Sequence, residues 1–314
     1  MNKIVQIKNV QKRFGDNIAL DNISVDFNEG CIHGLLGHNG AGKTTLIRII
    51  GGIYKQDKGE VEVLGLNPIH DGYELRKNIG VLSENMCMYD RLSIYDNLMF
   101  YGKLYNIEKK ELKSRIDNYL KMFQISEFKN KLIKDCSTGM KKKTGIIRAI
   151  INEPKLLLLD EASNGLDPIS KDEFHGLIKE LVKIKNISVV LCSHDLGEVT
   201  KLCEHITIIK KGNVVYSDSV SSLSSNKESI GIKIDTIQDL FSFKEQIQKE
   251  LKDNKIDYTK FNRNSIEMEI PSLNDINMVI KVLINYNLNI INVEHKIFDL
   301  NKIYLDSHRE ENAI

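Results

Sequence analysis

Excess charge is the first thing this chain lacks: 44 Lys+Arg stand against 43 Asp+Glu over 314 residues, a net of +1. That balance gives no electrostatic reason to expect nucleic acid or an anionic membrane surface as a partner. Cysteine is scarce as well. The five present (Cys31, Cys87, Cys136, Cys192, Cys203) are odd in number, show no C-x-x-C spacing, and mostly sit in apolar or strand-like stretches. Reduced thiols in a cytosolic setting are the simplest reading. Long apolar runs are missing too: none approaches the ~18 residues of a membrane span. The opening Met1-Asn2-Lys3-Ile4-Val5-Gln6-Ile7 alternates like a strand and lacks the apolar core of a signal peptide. The expectation is a chain that does not itself cross a membrane. Its length exceeds one typical domain, so two are expected, the first large enough for a full parallel-sheet core.

Against these absences stands one complete motif. Gly37-His38-Asn39-Gly40-Ala41-Gly42-Lys43-Thr44-Thr45 fills the pattern G-x-x-x-x-G-K-[ST] and follows a strand-like run, Cys31-Ile32-His33-Gly34-Leu35-Leu36. Glycines at 37, 40 and 42 let such a loop turn tightly and aim backbone N–H groups inward as an anion nest. Lys43 is placed to reach the β- and γ-phosphates of a nucleoside triphosphate, and the Thr44 hydroxyl to ligate Mg²⁺. The helix that continues through Thr45-Leu46-Ile47 presents its positive end to the same anion. The alternative is a glycine-rich turn matching by chance, and the strand before and apolar helix after weigh against it.

Two later strands end on chemistry of the same kind. Leu156-Leu157-Leu158-Leu159-Asp160-Glu161 reads as a buried parallel strand delivering two carboxylates to its carboxyl edge, where ligands of such sheets bind. Asp160 would hold the Mg²⁺ shell, and Glu161 would orient a water for in-line attack on the γ-phosphate. Acids after a strand also serve simply as caps for the next helix. Ser188-Val189-Val190-Leu191-Cys192-Ser193 leads to His194, whose neutral imidazole could contact the γ-phosphate, although strand-end histidines are commonly structural. Between these lies Cys136-Ser137-Thr138-Gly139-Met140-Lys141-Lys142-Lys143, a Ser/Gly turn opening an apolar helix. Three lysines in a first helical turn oppose the macrodipole, which hints at a nearby anion or marks a solvated basic turn.

These elements and their order resemble the ATP-binding subunit of ABC transporters over about residues 3–220. The loop at 37–45 resembles the Walker A loop, the strand ending at Asp160 the Walker B strand, and Glu161 the catalytic glutamate. Ser137, Thr138, Gly139 and Met140 resemble the signature, Asn164-Gly165-Leu166-Asp167 the D-loop, and His194 the switch histidine. The resemblance implies an α/β fold, a P-loop NTPase of ABC ATPase type. Its parts would be a parallel-sheet core, an antiparallel β subdomain and a helical subdomain at about 86–150. It also implies ATP with Mg²⁺ as ligands, the metal held by Thr44, Asp160 and Glu84. Two copies would pair head to tail, each ATP lying between one chain's Walker A loop and the other's signature.

Several positions depart from the commonest pattern. Thr138 and Met140 replace a glycine and a glutamine, and Ser-x-Gly-Met-Lys resembles the branch that includes drug and antibiotic-resistance exporters. Glu84, in Val81-Leu82-Ser83-Glu84, stands in for the usual Q-loop glutamine and loses its amide donor. Phe14, before Gly15, stands where tyrosine usually stacks on adenine, with a buried core role as the alternative. Helical periodicity runs through 93–134, and Tyr89, Tyr95, Tyr101 and Tyr105 are candidates either to line a groove for a partner helix or to pack the subdomain.

After a Ser/Asn-rich linker from 217 to 227, a second domain at 228–314 is expected. Its pattern is strand (230–234), helix (237–251), strands (256–261 and 265–270), helix (274–286) and strand (289–294), the split βαββαβ arrangement. It shows no catalytic constellation and reads as a dimerisation, regulatory or docking module or as a structural extension. A short terminal helix at 297–305 and a frayed end at 309–312 complete the reading. The function expected is ATP hydrolysis that powers export through a separate membrane-spanning permease, on the cytoplasmic face of the membrane. The ATPase chains would form a homodimer or a mixed pair. The runner-up is a soluble ABC-type ATPase acting on ribosomes or nucleic acid, disfavoured by the absence of a basic tail.

Overall fold

The structure is a computed structural model that describes residues 2–83, 86–220, 230–254, 256–270 and 275–296. Glu84, most of the expected linker, and the terminal helix at 297–305 lie outside the described residues. Two compact units divide the chain, Met1–Asp218 and Ser219–Ile314.

The first unit begins β1 (Lys3–Phe14), β2 (Asn17–Asn28), β3 (Ile32–Leu36), α1 (Lys43–Ile50), β4 (Lys58–Val63), α2 (Gly72–Asn78) and β5 (Ile79–Ser83). It continues α3 (Ile94–Leu104), α4 (Lys109–Met122), α5 (Thr138–Ile150), β6 (Leu156–Asp160), α6 (Pro168–Lys185), β7 (Ser188–Ser193), α7 (Leu196–Leu202), β8 (His205–Lys210) and β9 (Asn213–Ser219). Six of the strands form one sheet in the order β5-β6-β7-β3-β8-β9, and β5, β6, β7, β3 and β8 pair in parallel. All five residues of β3 and of β6 and all six of β7 are buried, as expected for strands covered on both faces. β2, β1 and β4 form a second, antiparallel sheet. Leu46, Ile49 and Ile50 of α1 share one apolar cluster with Val5, Ile7 and Phe27 of that sheet and with Leu156, Leu158 and Val190 of the parallel one. Each such side chain contributes roughly 1.5–3 kcal/mol on burial.

The periodicity at 93–134 resolves into two α-helices and two short 3₁₀ turns, Ser126–Phe128 and Ile133–Asp135. Asn106 and Gln124, at φ +57° and +56°, end α3 and α4 by turning left-handed. The Ser93 hydroxyl starts α3 by accepting from the Asp96 N–H at 3.0 Å.

The second unit contains β10 (Ile230–Thr236), α8 (Lys244–Asp253), β11 (Asp257–Phe261), β12 (Ser265–Ile270), α9 (Ile276–Asn285) and β13 (Ile290–Lys296). Its sheet is wholly antiparallel in the order β11-β12-β10-β13, and Ile232, Ile234, Ile266 and Met268 pack with Ile247, Leu251, Val279 and Leu283 of its helices. The first helix begins at Lys244, not near 237 as the apolar spacing predicts. Asp239 explains the delay: its carboxylate accepts from the Phe241 N–H at 2.8 Å and stabilises a 3₁₀ turn, Leu240–Phe243, ahead of the helix.

Candidate functional site

Parallel register decides where the polar groups of the first unit meet. β3 pairs with β7 as Leu36↔Ser193, and β6 with β7 as Asp160↔Cys192, so three strands finish at one edge. That edge carries the loop after β3, the acids ending β6 and the histidine after β7.

The loop needs glycine for steric reasons. Gly42 turns at φ +113°, and a Cβ there would lie 2.7 Å from the Ala19 carbonyl oxygen. α1 starts at the next residue, Lys43, which is only 5% exposed. Its Nζ donates to the carbonyl oxygens of Gly37 at 2.6 Å and His38 at 3.0 Å and sits 3.2 Å from Glu161 Oε1. The other carboxylate oxygen, Glu161 Oε2, lies 2.8 Å from His194 Nδ1. Glu161 itself sits at φ +52°, a left-handed backbone that a non-glycine residue adopts at a cost of about 1–3 kcal/mol. That turn carries the chain away from the strand and leaves the carboxylate between the lysine and the histidine.

Thr44 Oγ1 donates to Asp160 Oδ1 at 3.0 Å. Burial pushes the Asp160 carboxyl above the usual carboxylate range, with the Thr44 hydrogen bond opposing and the Glu161 charge reinforcing that rise. A hydroxyl and a carboxylate side by side are the hard oxygen donors that Mg²⁺ takes, so the residues present fit that ion. The buried thiols offer no competing chemistry. Burial drives Cys192 and Cys203 well above the ordinary thiol range, which keeps them inert.

A cavity of about 620 Å³ opens over this edge, lined by His38, Asn39, Gly40, Thr45 and Asn164 beside Gly42, Lys43, Thr44 and Glu161. Phe14 stands on its wall and is 44% exposed, packed edge-on against Tyr54 at 5.4 Å, so it is not a core residue. Lys211 and Ile18 also line it. Sequence reasoning missed both; Lys211 sits in the tight turn between β8 and β9, where only the Lys-Gly dipeptide signals its place.

The signature-like turn stands elsewhere. Ser137 caps α5, its hydroxyl accepting from the Met140 N–H at 3.3 Å, and it is solvent-exposed together with Thr138. Ser137 and Gly139 line a smaller cavity of about 160 Å³ with Leu166 and Ser170, and this cavity shares no lining residue with the larger one. Lys143 pairs with Glu173 at 3.0 Å, so one of the three lysines finds its anion within the chain. Asp167 caps α6 by accepting from the N–H groups of Ile169 and Ser170 at 3.1 and 3.0 Å, and Gly165 turns ahead of it at φ +77°. Of the four tyrosines, Tyr101 and Tyr105 line a groove of about 460 Å³ with Tyr73, Leu104, Arg76 and Arg148. Tyr89 instead packs against Phe100 at 5.1 Å.

Comparison with known proteins shows the family. The family profile described as "ABC transporter" matches residues 20–164. The bacitracin transport ATP-binding protein BcrA of Bacillus licheniformis is 36% identical over 215 residues, covering 68% of this chain and 69% of that protein. The Fe(3+) ions import ATP-binding protein FbpC of Fusobacterium nucleatum is 34% identical over 212 residues, covering 68% of this chain and 57% of that protein. Among solved structures, cbiO1 from Clostridium perfringens, part of the ABC transporter complex cbiONQ, superposes with a TM-score of 0.66 at 26% identity, over 80% of this chain and 95% of that one. With a fold shared along most of the first unit and relatives of this identity, the chain belongs to the ABC transporter family as one of its ATP-binding ATPases.

Proposed function

We propose that this chain powers export through a separate membrane-spanning permease, using the edge where β3, β6 and β7 end as its hydrolytic site. The observation that carries the reading is the contact chain Lys43–Glu161–His194 beside the Thr44–Asp160 pair. Lys43 rests on two loop carbonyls and one carboxylate, all of which a triphosphate's oxygens can replace. The exchange releases Glu161 from Lys43 and leaves it free to orient a water in line with the γ-phosphate. His194, 48% exposed and already on Glu161, then meets the γ-phosphate from the other side. Thr44 and Asp160 would hold Mg²⁺, which would supply charge neutralisation during phosphoryl transfer. Phe14 offers its exposed ring to the adenine.

The exposed Ser137 cap and Gly139 at the start of α5 suit a phosphate brought by a second ATPase chain, since they lie apart from this chain's own cavity. The groove walled by Tyr73, Tyr101 and Tyr105 suits a helical segment of the permease. BcrA is named for bacitracin transport and FbpC for import, so the direction rests on the signature variant at Thr138 and Met140. A pull-down of tagged Glu161→Gln protein with ATP, from detergent-solubilised membranes of the native cell, tests the assignment. A polytopic membrane protein in near-equal amount is expected. Recovery of ribosomal or DNA-associated proteins alone would overturn it.

A further inference from the structure

Behind the site lies a buried carboxylate that touches neither Lys43 nor Asp160. Glu198, on α7, has a side chain only 1% exposed and is gripped from three directions. His175 Nε2, from α6, is 2.8 Å from its Oε1, and Ser193 Oγ, ending β7, donates to its Oε2 at 2.6 Å. The Ser163 hydroxyl donates to it as well, and Lys171 Nζ stands 3.7 Å away. The serines are what make the cluster informative. Ser193 is the residue before His194, and Ser163 lies two residues after Glu161 in the segment leading to Asp167.

We infer that Glu198 is a positioning residue for hydrolysis, holding the His194 backbone through Ser193 and the Glu161 segment through Ser163 in one fixed relation. The inference rests on the roles proposed above for Glu161 and His194. An ionised carboxylate is costly to bury, a cost that packing alone would avoid with an apolar residue of similar volume. Burial pushes this carboxyl up, but the hydrogen bonds from His175, Ser163 and Ser193 outweigh it and hold Glu198 below the usual range, so the acceptor stays charged. Further bonds stiffen the same corner. The Asp195 N–H donates to Ser193 Oγ at 3.0 Å, the Glu198 N–H donates to Asp195 Oδ1 at 3.1 Å, and Lys171 Nζ donates to Asp195 Oδ2 at 2.6 Å. α6 is tied in through His175 and Lys171, so the helix that begins at the Asp167 cap moves with the two loops.

The test compares full-length wild type with Ser193→Ala, Ser193→Thr, Glu198→Gln and the Ser193→Ala/Glu198→Gln double variant, and with Glu161→Gln as control. The readouts are kcat, ATP affinity and thermal midpoint. Ser193→Ala and Glu198→Gln are expected to lower kcat by about tenfold to a hundredfold, the cost of a misplaced catalytic group, while ATP affinity stays within about twofold. Ser193→Thr, which keeps the hydroxyl, restores kcat, and the double variant loses no more than Glu198→Gln alone, because that substitution already cuts the Ser193 tether. Should Glu198→Gln not fold, the Ser193→Ala and Ser193→Thr pair decides. Unchanged kcat in Ser193→Ala, a loss that Thr does not restore, or additive losses in the double variant overturns the inference. Turnover surviving in Glu161→Gln would instead sink the assigned roles, which keeps the two failures distinguishable.

Discussion

The two units are both built from alternating strands and helices around an apolar core, yet they differ in what they bury. In the first, His33, Lys43, Lys142, Asp160, His175 and Glu198 are all less than 9% exposed. In the second, the only buried polar side chains among the described residues are Thr236 and Ser265. Sheet direction accounts for much of this. Parallel strands deliver their carboxyl ends, with whatever polar groups follow, to one edge, and the helices that cover such a sheet shut those groups away from water. The antiparallel sheet of the second unit sends successive strand ends to opposite edges. Ionisable groups in a low-dielectric setting are costly, so their concentration in one unit marks where free energy is committed to chemistry.

The sharpest way to break this contrast is Glu161→Gln. Turnover is expected to fall by about a thousandfold with ATP still bound, since the carboxylate alone can orient and polarise the water. Steady-state phosphate release at saturating ATP checks it. On the other side, Leu283→Ala empties a fully buried position in the second unit and should cost about 3 kcal/mol of that unit's stability, measured by denaturant unfolding. Hydrolysis by the first unit should persist, and its loss would join what the contrast separates.

Acid provides a third comparison. Burial, aided by the neighbouring His205, holds the His33 imidazole far below its ordinary value of 6.5, at about 3. Below pH 6.5 the unfolded chain takes up a proton that the folded one refuses, so this contribution is intact above 6.5 and is lost as pH falls toward 3. Roughly 2 kcal/mol should disappear between about pH 6.5 and 4.5, and His33→Gln should flatten that limb. Urea midpoints across this range check it. The smallest effect is expected of Phe14→Ala, which should weaken ATP binding by about 1 kcal/mol through loss of a stacking face, read by nucleotide titration.

The legible parts of the sequence were those whose spacing is local. The loop at 37–45, the acids after Leu159 and the histidine after Ser193 each announce themselves within one strand-to-loop junction, and the structure brings Lys43, Glu161 and His194 into a single contact chain. The strand order of the second unit also follows from its βαββαβ pattern. What could not be read depends on distance. Glu198 looks like any helical glutamate until folding brings Ser163, His175 and Ser193 around it. The left-handed backbone of Glu161 leaves no sequence mark, and the 3₁₀ turn before α8 arises from one side-chain cap overriding an apolar period.

One measurement addresses the central claim that nucleotide chemistry belongs to the parallel-sheet edge of the first unit. The full chain would be photolabelled with an ATP analogue bearing an azide on its adenine ring, and the modified peptide located by mass spectrometry. Label is expected on the peptide carrying Phe14 and Ile18, which line the cavity over Lys43 and Thr44. Label confined to residues 230–296 would contradict the account.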